Sequence, residues 1–77
     1  QTTKENISVF PNPADEKINI SGYYELLEIH DVFGKIVHTE TNNTKSIDLK
    51  NIRNGNYIIH FYSKDNNIST RKISIIK

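Results

Sequence analysis

The residues of this sequence that could take part in chemistry begin with three histidines. His30, His38 and His60 fall in three different segments of alternating polarity, each opposite the positions expected to be buried. They could share a metal ion or a proton only if their strands were neighbours in the right register. The sequence therefore predicts three surface histidines and no metal site.

No residue has the surroundings of a catalytic nucleophile. The chain contains no cysteine, and no Gly-x-Ser-x-Gly elbow surrounds any of its serines. The three glycines, Gly22, Gly34 and Gly55, are isolated, which is typical of turns and not of a phosphate-binding loop. The sequence thus offers neither a nucleophile nor a cradle for a phosphorylated cofactor.

The carboxylates are equally poorly placed for catalysis. Glu25 and Glu28 are expected on opposite faces of one strand, which does not form the opposed pair of a glycosidase. Asp65, Asn66 and Asn67 lack the spacing of an EF-hand and are interpreted as the tip of a hairpin. No enzyme activity and no cofactor are expected, and a binding or structural module is predicted.

Composition narrows the class of protein further. A chain of 77 residues holds one domain, and its apolar residues include thirteen isoleucines, which favour strands over helices. Ten Lys and Arg residues against nine Asp and Glu residues give a formal net charge of +1. That balance is too small for a nucleic-acid footprint or a polybasic membrane surface. Neither nucleic acid nor a membrane is expected as a partner.

The apolar residues recur with a period of two, and short polar clusters separate the segments. Seven short strands predict an all-β fold, a seven-stranded antiparallel β-sandwich with an immunoglobulin-like layout. A small Greek-key barrel is the alternative. The strand from Tyr57 to Tyr62 is expected to be central because both its faces are partly apolar. The predicted core consists of Ile7, Val9, Ile18, Ile20, Leu27, Ile29, Val37, Ile47, Leu49, Tyr57, Ile59, Phe61, Ile73 and Ile75, with Ile52 as a lid.

The first residues differ from the rest of the chain. Gln1 to Asn6 form a polar stub, and no run approaches the roughly 18–20 apolar residues of a membrane span. We expect residues 1–6 to be a linker from an upstream domain and residues 7–77 to form the folded module.

Four blocks of the sequence carry a family resemblance. They are Phe10 to Asp15 (FPNPAD), Leu27 to Val37 (LEIHDVFGKIV), Ile47 to Ile59 (IDLKNIRNGNYII) and Thr70 to Ile75 (TRKISI). In this order and spacing they resemble the type A C-terminal sorting domain of the type IX secretion system of Bacteroidetes. The resemblance extends from Ile7 to Lys77.

The resemblance implies a secretion signal. Such a domain passes from the periplasm across the outer membrane with its upstream cargo, and a surface sortase then usually removes it, so that the cargo becomes surface-bound or secreted. The implied partners are the outer-membrane translocon, a shuttle protein and the sortase. The alternative is an accessory carbohydrate-binding or adhesion module, for which Tyr23, Tyr24 and Tyr62 are the spare aromatic residues.

Most matched residues are interpreted as structural, since prolines stiffen a strand exit and glycines serve turns. Recognition is expected to involve the last strand, where Arg71, Lys72 and Lys77 form a basic cluster and the strand has a free edge. The candidate partner-binding residues are Pro11, Asn12, Pro13, Asp31, Gly34, Gly55, Tyr57, Arg71, Lys72 and Lys77.

Overall fold

In the computed structural model, which describes residues 6–64 and 67–77, the chain forms two antiparallel β-sheets enclosing one core. Alternating apolar residues explain why most segments are extended, since five of the seven strands alternate buried with more exposed residues. The strands are β1 (Ser8–Phe10), β2 (Lys17–Ser21), β3 (Leu26–His30), β4 (Ile36–Thr41), β5 (Ser46–Asp48), β6 (Gly55–Tyr62) and β7 (Ile68–Ile75).

The strand order confirms the predicted sandwich of two sheets. One sheet has the order β1-β2-β5 and the other the order β4-β3-β6-β7. Strand β6 lies between β3 and β7, so the expectation of a central strand is confirmed. In the immunoglobulin constant-type arrangement the fourth strand lies beside the fifth. Here β4 pairs with β3, so the fourth strand belongs to the other sheet.

The core is built largely from the predicted residues. Ile59 in β6 and Leu27 in β3 are fully buried, and burial of one such side chain stabilises the fold by about 1.5–3 kcal/mol. Val9 is only partly buried but packs against the core. Ile52, which lies in the loop that follows β5, is buried. Ala14 and Tyr24 are also buried, although the alternating pattern did not include them.

The prediction that Val37 is a core residue is wrong. The pairing of β3 with β4 shifts register between Ile29 and His30, which makes Val37 the extra residue of a bulge. Its side chain is 37% exposed. Beyond the bulge His38 lies opposite Ile29, so a polar residue of β4 faces the core side at the sheet edge.

Strands β3 and β4 are joined by a hairpin whose three-residue loop is Val32, Phe33 and Gly34. Asp31 N–H donates to Lys35 O at 2.9 Å, and Gly34 N–H donates to Asp31 O at 3.0 Å. Gly34 has a φ of 83°, a conformation that glycine adopts without steric cost and that this hairpin type requires. The predicted turn at Gly34 is therefore confirmed.

Some expectations concern residues that the structure does not describe. Residues 1–5 of the expected linker, and Asp65 and Asn66 of the expected hairpin tip, lie outside the described ranges. Within those ranges, no helix is long and apolar enough to cross a membrane.

Candidate functional site

Four chain segments meet at one end of the sandwich. The register puts Ile58 of β6 opposite His30 of β3, so the start of β6 lies beside the β3–β4 hairpin. Gly55 lies opposite Ile75 of β7, and Ala14 forms a parallel bridge to that same Ile75. We call this the motif end, formed by residues 11–14, 31–35, 49–58 and 72–77. The far end is formed by residues 22–25, 42–45, 62–64 and 67–68.

A groove of about 390 Å³ opens at the motif end, and every block of the family resemblance contributes to its wall. Asn12 comes from the first block and Asp31 from the second. Tyr57 belongs to the third block and Lys72 to the fourth. Val32 and Ile58 make part of the lining apolar. We call this cavity the motif groove. Residues up to 62 positions apart in the chain therefore share one surface.

The Asn12 side chain gives the first block a structural role, because it holds the block against β7. Its amide donates from Nδ2 to Lys72 O at 3.1 Å, and its Oδ1 accepts from Ser74 N–H at 3.1 Å. Ala14 continues this pairing, since its N–H donates to Ser74 O and its carbonyl accepts from Ile76 N–H, both at 2.8 Å. Pro11 and Pro13, each preceded by a cis peptide bond, are exposed on either side of Asn12.

These bonds correct the expectation of a free edge. Strand β7 does lie at the margin of its sheet, as predicted. However, its outward backbone groups from Lys72 to Ile76 are paired with Asn12 and Ala14, so a partner strand cannot add there without displacing them.

The predicted basic cluster does not form. Arg71 lies opposite Ile59 and donates from Nε to Ile7 O at 2.9 Å, whereas Lys72 lies opposite Ile58 on the outer face. The Lys77 ammonium donates to carbonyls of the loop after β5, with Leu49 O at 2.8 Å. Of the three cations, Lys72 alone lines the motif groove.

Three other candidate residues hold the local structure. Asp31 Oδ1 accepts from Phe33 N–H and Lys35 N–H, both at 2.9 Å, which fixes the hairpin loop. Tyr57 is buried and donates its hydroxyl hydrogen to Arg53 O at 2.7 Å. Gly55 begins β6. Asp31 and Tyr57 thus combine a position in the groove wall with a structural role, whereas Gly55 does not line the groove.

The most exposed apolar residues at this end were not among the partner-binding residues predicted from the sequence. Phe33 is 91% exposed and Val32 is 70% exposed, although both belong to the second block. A signal was present, because the central positions of such a turn usually hold polar residues or glycine. Beside this tip, a second depression of about 370 Å³ is lined by Lys35 and Arg53 among others.

Two of the three histidines come together on the outer face. The rings of His30 and His60 have centroids 4.1 Å apart, since β3 and β6 are neighbours. His30 Nε2 lies 3.0 Å from Glu28 Oε1, which also accepts from the Tyr62 hydroxyl at 3.1 Å. The hydrogen bond to His30 is the largest influence that lowers the pKa of Glu28 below its ordinary value.

The third histidine does not follow the prediction of a position opposite the core. His38 lies on the same face of the sheet as Ile29, at the exposed margin, and its Nε2 is 2.9 Å from Glu40 Oε2. Among residues 6–64 and 67–77, no group of three or more His, Cys, Asp or Glu side chains is arranged to hold a metal ion.

The far end does not provide the aromatic platform on which the carbohydrate alternative depends. Tyr24 is completely buried, with its ring edge against Phe61 at a centroid distance of 5.5 Å. Its hydroxyl donates to Thr44 O at 2.5 Å, and its backbone N–H donates to Asn43 Oδ1 at 3.1 Å. Burial raises the pKa of the Tyr24 hydroxyl. Tyr24 is thus a core residue and cannot contact a sugar.

Comparisons with known proteins agree with the family resemblance of the four blocks and with the observed fold. The family model described as a secretion system C-terminal sorting domain matches residues 8–77. A solved structure of PorZ, an essential bacterial surface component of the type IX secretion system of Porphyromonas gingivalis, shares the fold with a TM-score of 0.74 and 16% identity. That match covers 94% of this chain and 12% of the PorZ chain. A search of curated proteins found no significant match. Domains described by this family model are the C-terminal signal for type IX secretion, and through contact with the secretion machinery they lead their proteins to the cell surface or the medium. The chain belongs to this family, the secretion system C-terminal sorting domains.

Proposed function

We propose that this domain is a non-catalytic export signal and that the outer-membrane translocon recognises it through the motif groove. A shuttle protein and a surface sortase act on the same folded domain, which crosses the periplasm attached to an upstream cargo through residues 1–6. One observation carries the proposal. Four sequence blocks, separated by long stretches of chain, contribute Asn12, Asp31, Tyr57 and Lys72 to a single groove.

Lys72 is the residue of the groove best suited to direct recognition. Its side chain is exposed, and no hydrogen bond or ion pair from its ammonium group occurs within the described part of the chain. Its backbone carbonyl does accept from Asn12, but a substitution of the side chain leaves that bond in place. A positive charge without an internal partner, next to apolar groove residues, supports a role in binding a complementary negative surface.

The experiment uses a secreted reporter protein fused to residues 1–77 in a host that has a type IX secretion system. We expect the reporter to reach the surface or the medium, and deletion of Ile68 to Lys77 to abolish this because it removes β7. Lys72→Glu should fold normally yet lower export by about tenfold, since it places a like charge against the partner. Lys64→Glu, an equal change of charge at the far end, is the matched control and should export normally.

Melting and export, measured together, separate an effect on folding from an effect on recognition. Thermal melts of the purified domain should superimpose for the unsubstituted chain, Lys72→Glu and Lys64→Glu, because both lysine side chains are exposed. Retention of the unsubstituted fusion inside the cell would refute the proposed export signal. Normal export of a folded Lys72→Glu fusion would refute the role of this charge in the groove.

A further inference from the structure

We infer that the Val32–Phe33 tip is an anchor that inserts into an apolar pocket, bordered by carboxylates, on a protein of the secretion machinery. The inference rests on the proposed function, because it assigns a partner of defined chemistry to the surface next to the motif groove. Its first support is exposure. Phe33 has 91% and Val32 has 70% of its surface in solvent, the two highest values among the large apolar residues of the described ranges.

The second support is rigidity. An exposed aromatic side chain on a flexible loop loses much of its binding energy to ordering when it binds. Here the loop is fixed in advance by three hydrogen bonds at its base, from Phe33 N–H and Lys35 N–H to Asp31 Oδ1 and from Gly34 N–H to Asp31 O. The backbone of the tip is therefore fixed before any partner arrives, and only the side-chain rotamer of Phe33 remains to be ordered.

The third support is the charge around the tip. Lys72 lies in the motif groove on one side of Asp31, and Lys35 and Arg53 line the depression on the other side. Within the described residues, none of these three cations forms an ion pair. The partner pocket should therefore present negative charge around an apolar centre. Asp31, which lines both depressions, offsets part of this charge, but the three cations outnumber it.

The shape favours a protein over a lipid surface. Two concave depressions, of about 390 and 370 Å³, adjoin the tip, and a flat membrane surface would leave both unfilled. Two apolar side chains also bury less apolar surface than one acyl chain, which by itself gives only marginal membrane binding. A protein pocket can enclose the aromatic ring and exclude water, as at the centre of other interfaces.

The test uses the same reporter fusion with substitutions at the tip. Phe33→Asp should lower export by about tenfold or more, and Phe33→Ala by a smaller factor, because truncation removes the anchor without adding charge. Ile68→Asp is the matched control, since Ile68 is an exposed apolar residue at the far end. We expect Ile68→Asp to export normally and all three variants to melt at the same temperature as the unsubstituted domain.

Charge and lipid binding are tested separately. Lys35→Glu should lower export severalfold while Lys64→Glu does not, and equal export of the two would refute the acidic border. Flotation with phosphatidylglycerol vesicles should show no binding that depends on Phe33. Binding to these vesicles that is lost in Phe33→Asp would overturn the protein pocket in favour of a lipid surface.

Failure of this inference differs from failure of the proposed function. If the unsubstituted fusion is exported and the folded Phe33→Asp and Phe33→Ala fusions are exported equally well, the anchor is refuted and the export signal stands. If the unsubstituted fusion stays inside the cell, the export signal is refuted and the anchor with it.

Discussion

At both ends of the sandwich, hydrogen bonds that involve a side chain hold neighbouring segments together, but the two ends differ in the residues that they leave exposed. At the far end Tyr24 is buried, and its hydroxyl and backbone N–H bond to the loop between β4 and β5. At the motif end Asn12 likewise bonds to backbone groups of its neighbour strand. Yet Phe33 and the cation of Lys72 remain in solvent there. Ile68 at the far end is 58% exposed, whereas Val32 and Phe33 at the motif end are 70% and 91% exposed, so the motif end presents the more exposed apolar surface.

The far end should therefore matter most for stability. We expect Tyr24→Ala to lower the free energy of unfolding by about 3–5 kcal/mol, because it leaves a cavity next to Phe61 and removes the bond to Thr44 O. Tyr24→Phe should cost only about 1 kcal/mol, since it loses the hydrogen bond but keeps the ring. Urea denaturation of the purified domain measures both values.

The control is Tyr23→Ala at the neighbouring position, where the side chain is 45% exposed. Its cost should be clearly smaller than that of Tyr24→Ala. A loss below about 1 kcal/mol for Tyr24→Ala would remove the far end as a source of stability and with it the contrast between the two ends.

At the motif end we expect a loss of intermediate size in the free energy of unfolding. Asn12→Ala leaves Lys72 O and Ser74 N–H without their protein partner, but water reaches both groups because the bonds lie at exposed positions. We therefore expect a loss of about 1 kcal/mol. The outer edge of β7 would also become open to pairing with another chain, so the variant should self-associate at high concentration. Denaturant titration and light scattering measure the two effects.

Asn12→Asp sharpens this test. The carboxylate keeps an acceptor for Ser74 N–H and loses the donor to Lys72 O, so its stability should fall between those of Asn12→Ala and the unsubstituted domain. If Asn12→Ala neither loses stability nor associates, the closing of the β7 edge by the first block is not needed for folding.

The sequence allowed the strands and most of the core to be predicted because one face of nearly every strand is buried, which imposes a period of two. It failed at Val37 because β4 is an edge strand in which a bulge reverses the alternation. Tyr24 and Ala14 lie outside the alternating segments and are buried by contacts between distant parts of the chain. Such burial leaves no local pattern.

The candidate site was harder to predict for the same reason. Whether β7 has a free edge depends on a pairing between Asn12 and Ser74, 62 positions apart, and no pattern within β7 reveals it. The scattering of Arg71, Lys72 and Lys77 depends on strand register. The position of Phe33 could have been predicted, because it stands between Asp31 and Gly34 of a recognised turn.

The smallest effect on stability is expected at Glu28, which lies with His30 and Tyr62 on the outer face beside the motif groove. The pKa of Glu28 lies below its ordinary value of 4.5 in the folded domain, mainly because of the hydrogen bond with His30 and then because of Tyr62. A lowered pKa in the folded state means that the carboxylate stabilises the fold at pH values above its unfolded pKa. This contribution is lost as the pH falls through the folded pKa. Glu28 keeps 19% of its side-chain surface exposed, so solvent limits the contribution to less than about 1 kcal/mol.

Glu28→Gln should therefore be slightly less stable than the unsubstituted domain at pH 7, and the difference should vanish in acid below the pKa of Glu28. Denaturant titrations at a series of pH values from 7 downward measure this difference. Export of the Glu28→Gln fusion should be normal, because Glu28 does not line the motif groove. A stability difference that stays constant with pH would mean that the ionised carboxylate contributes nothing. Loss of export by a folded Glu28→Gln domain would extend the recognition surface across the outer face of β3 and β6 and would remove the boundary between the motif end and the rest of the sheet.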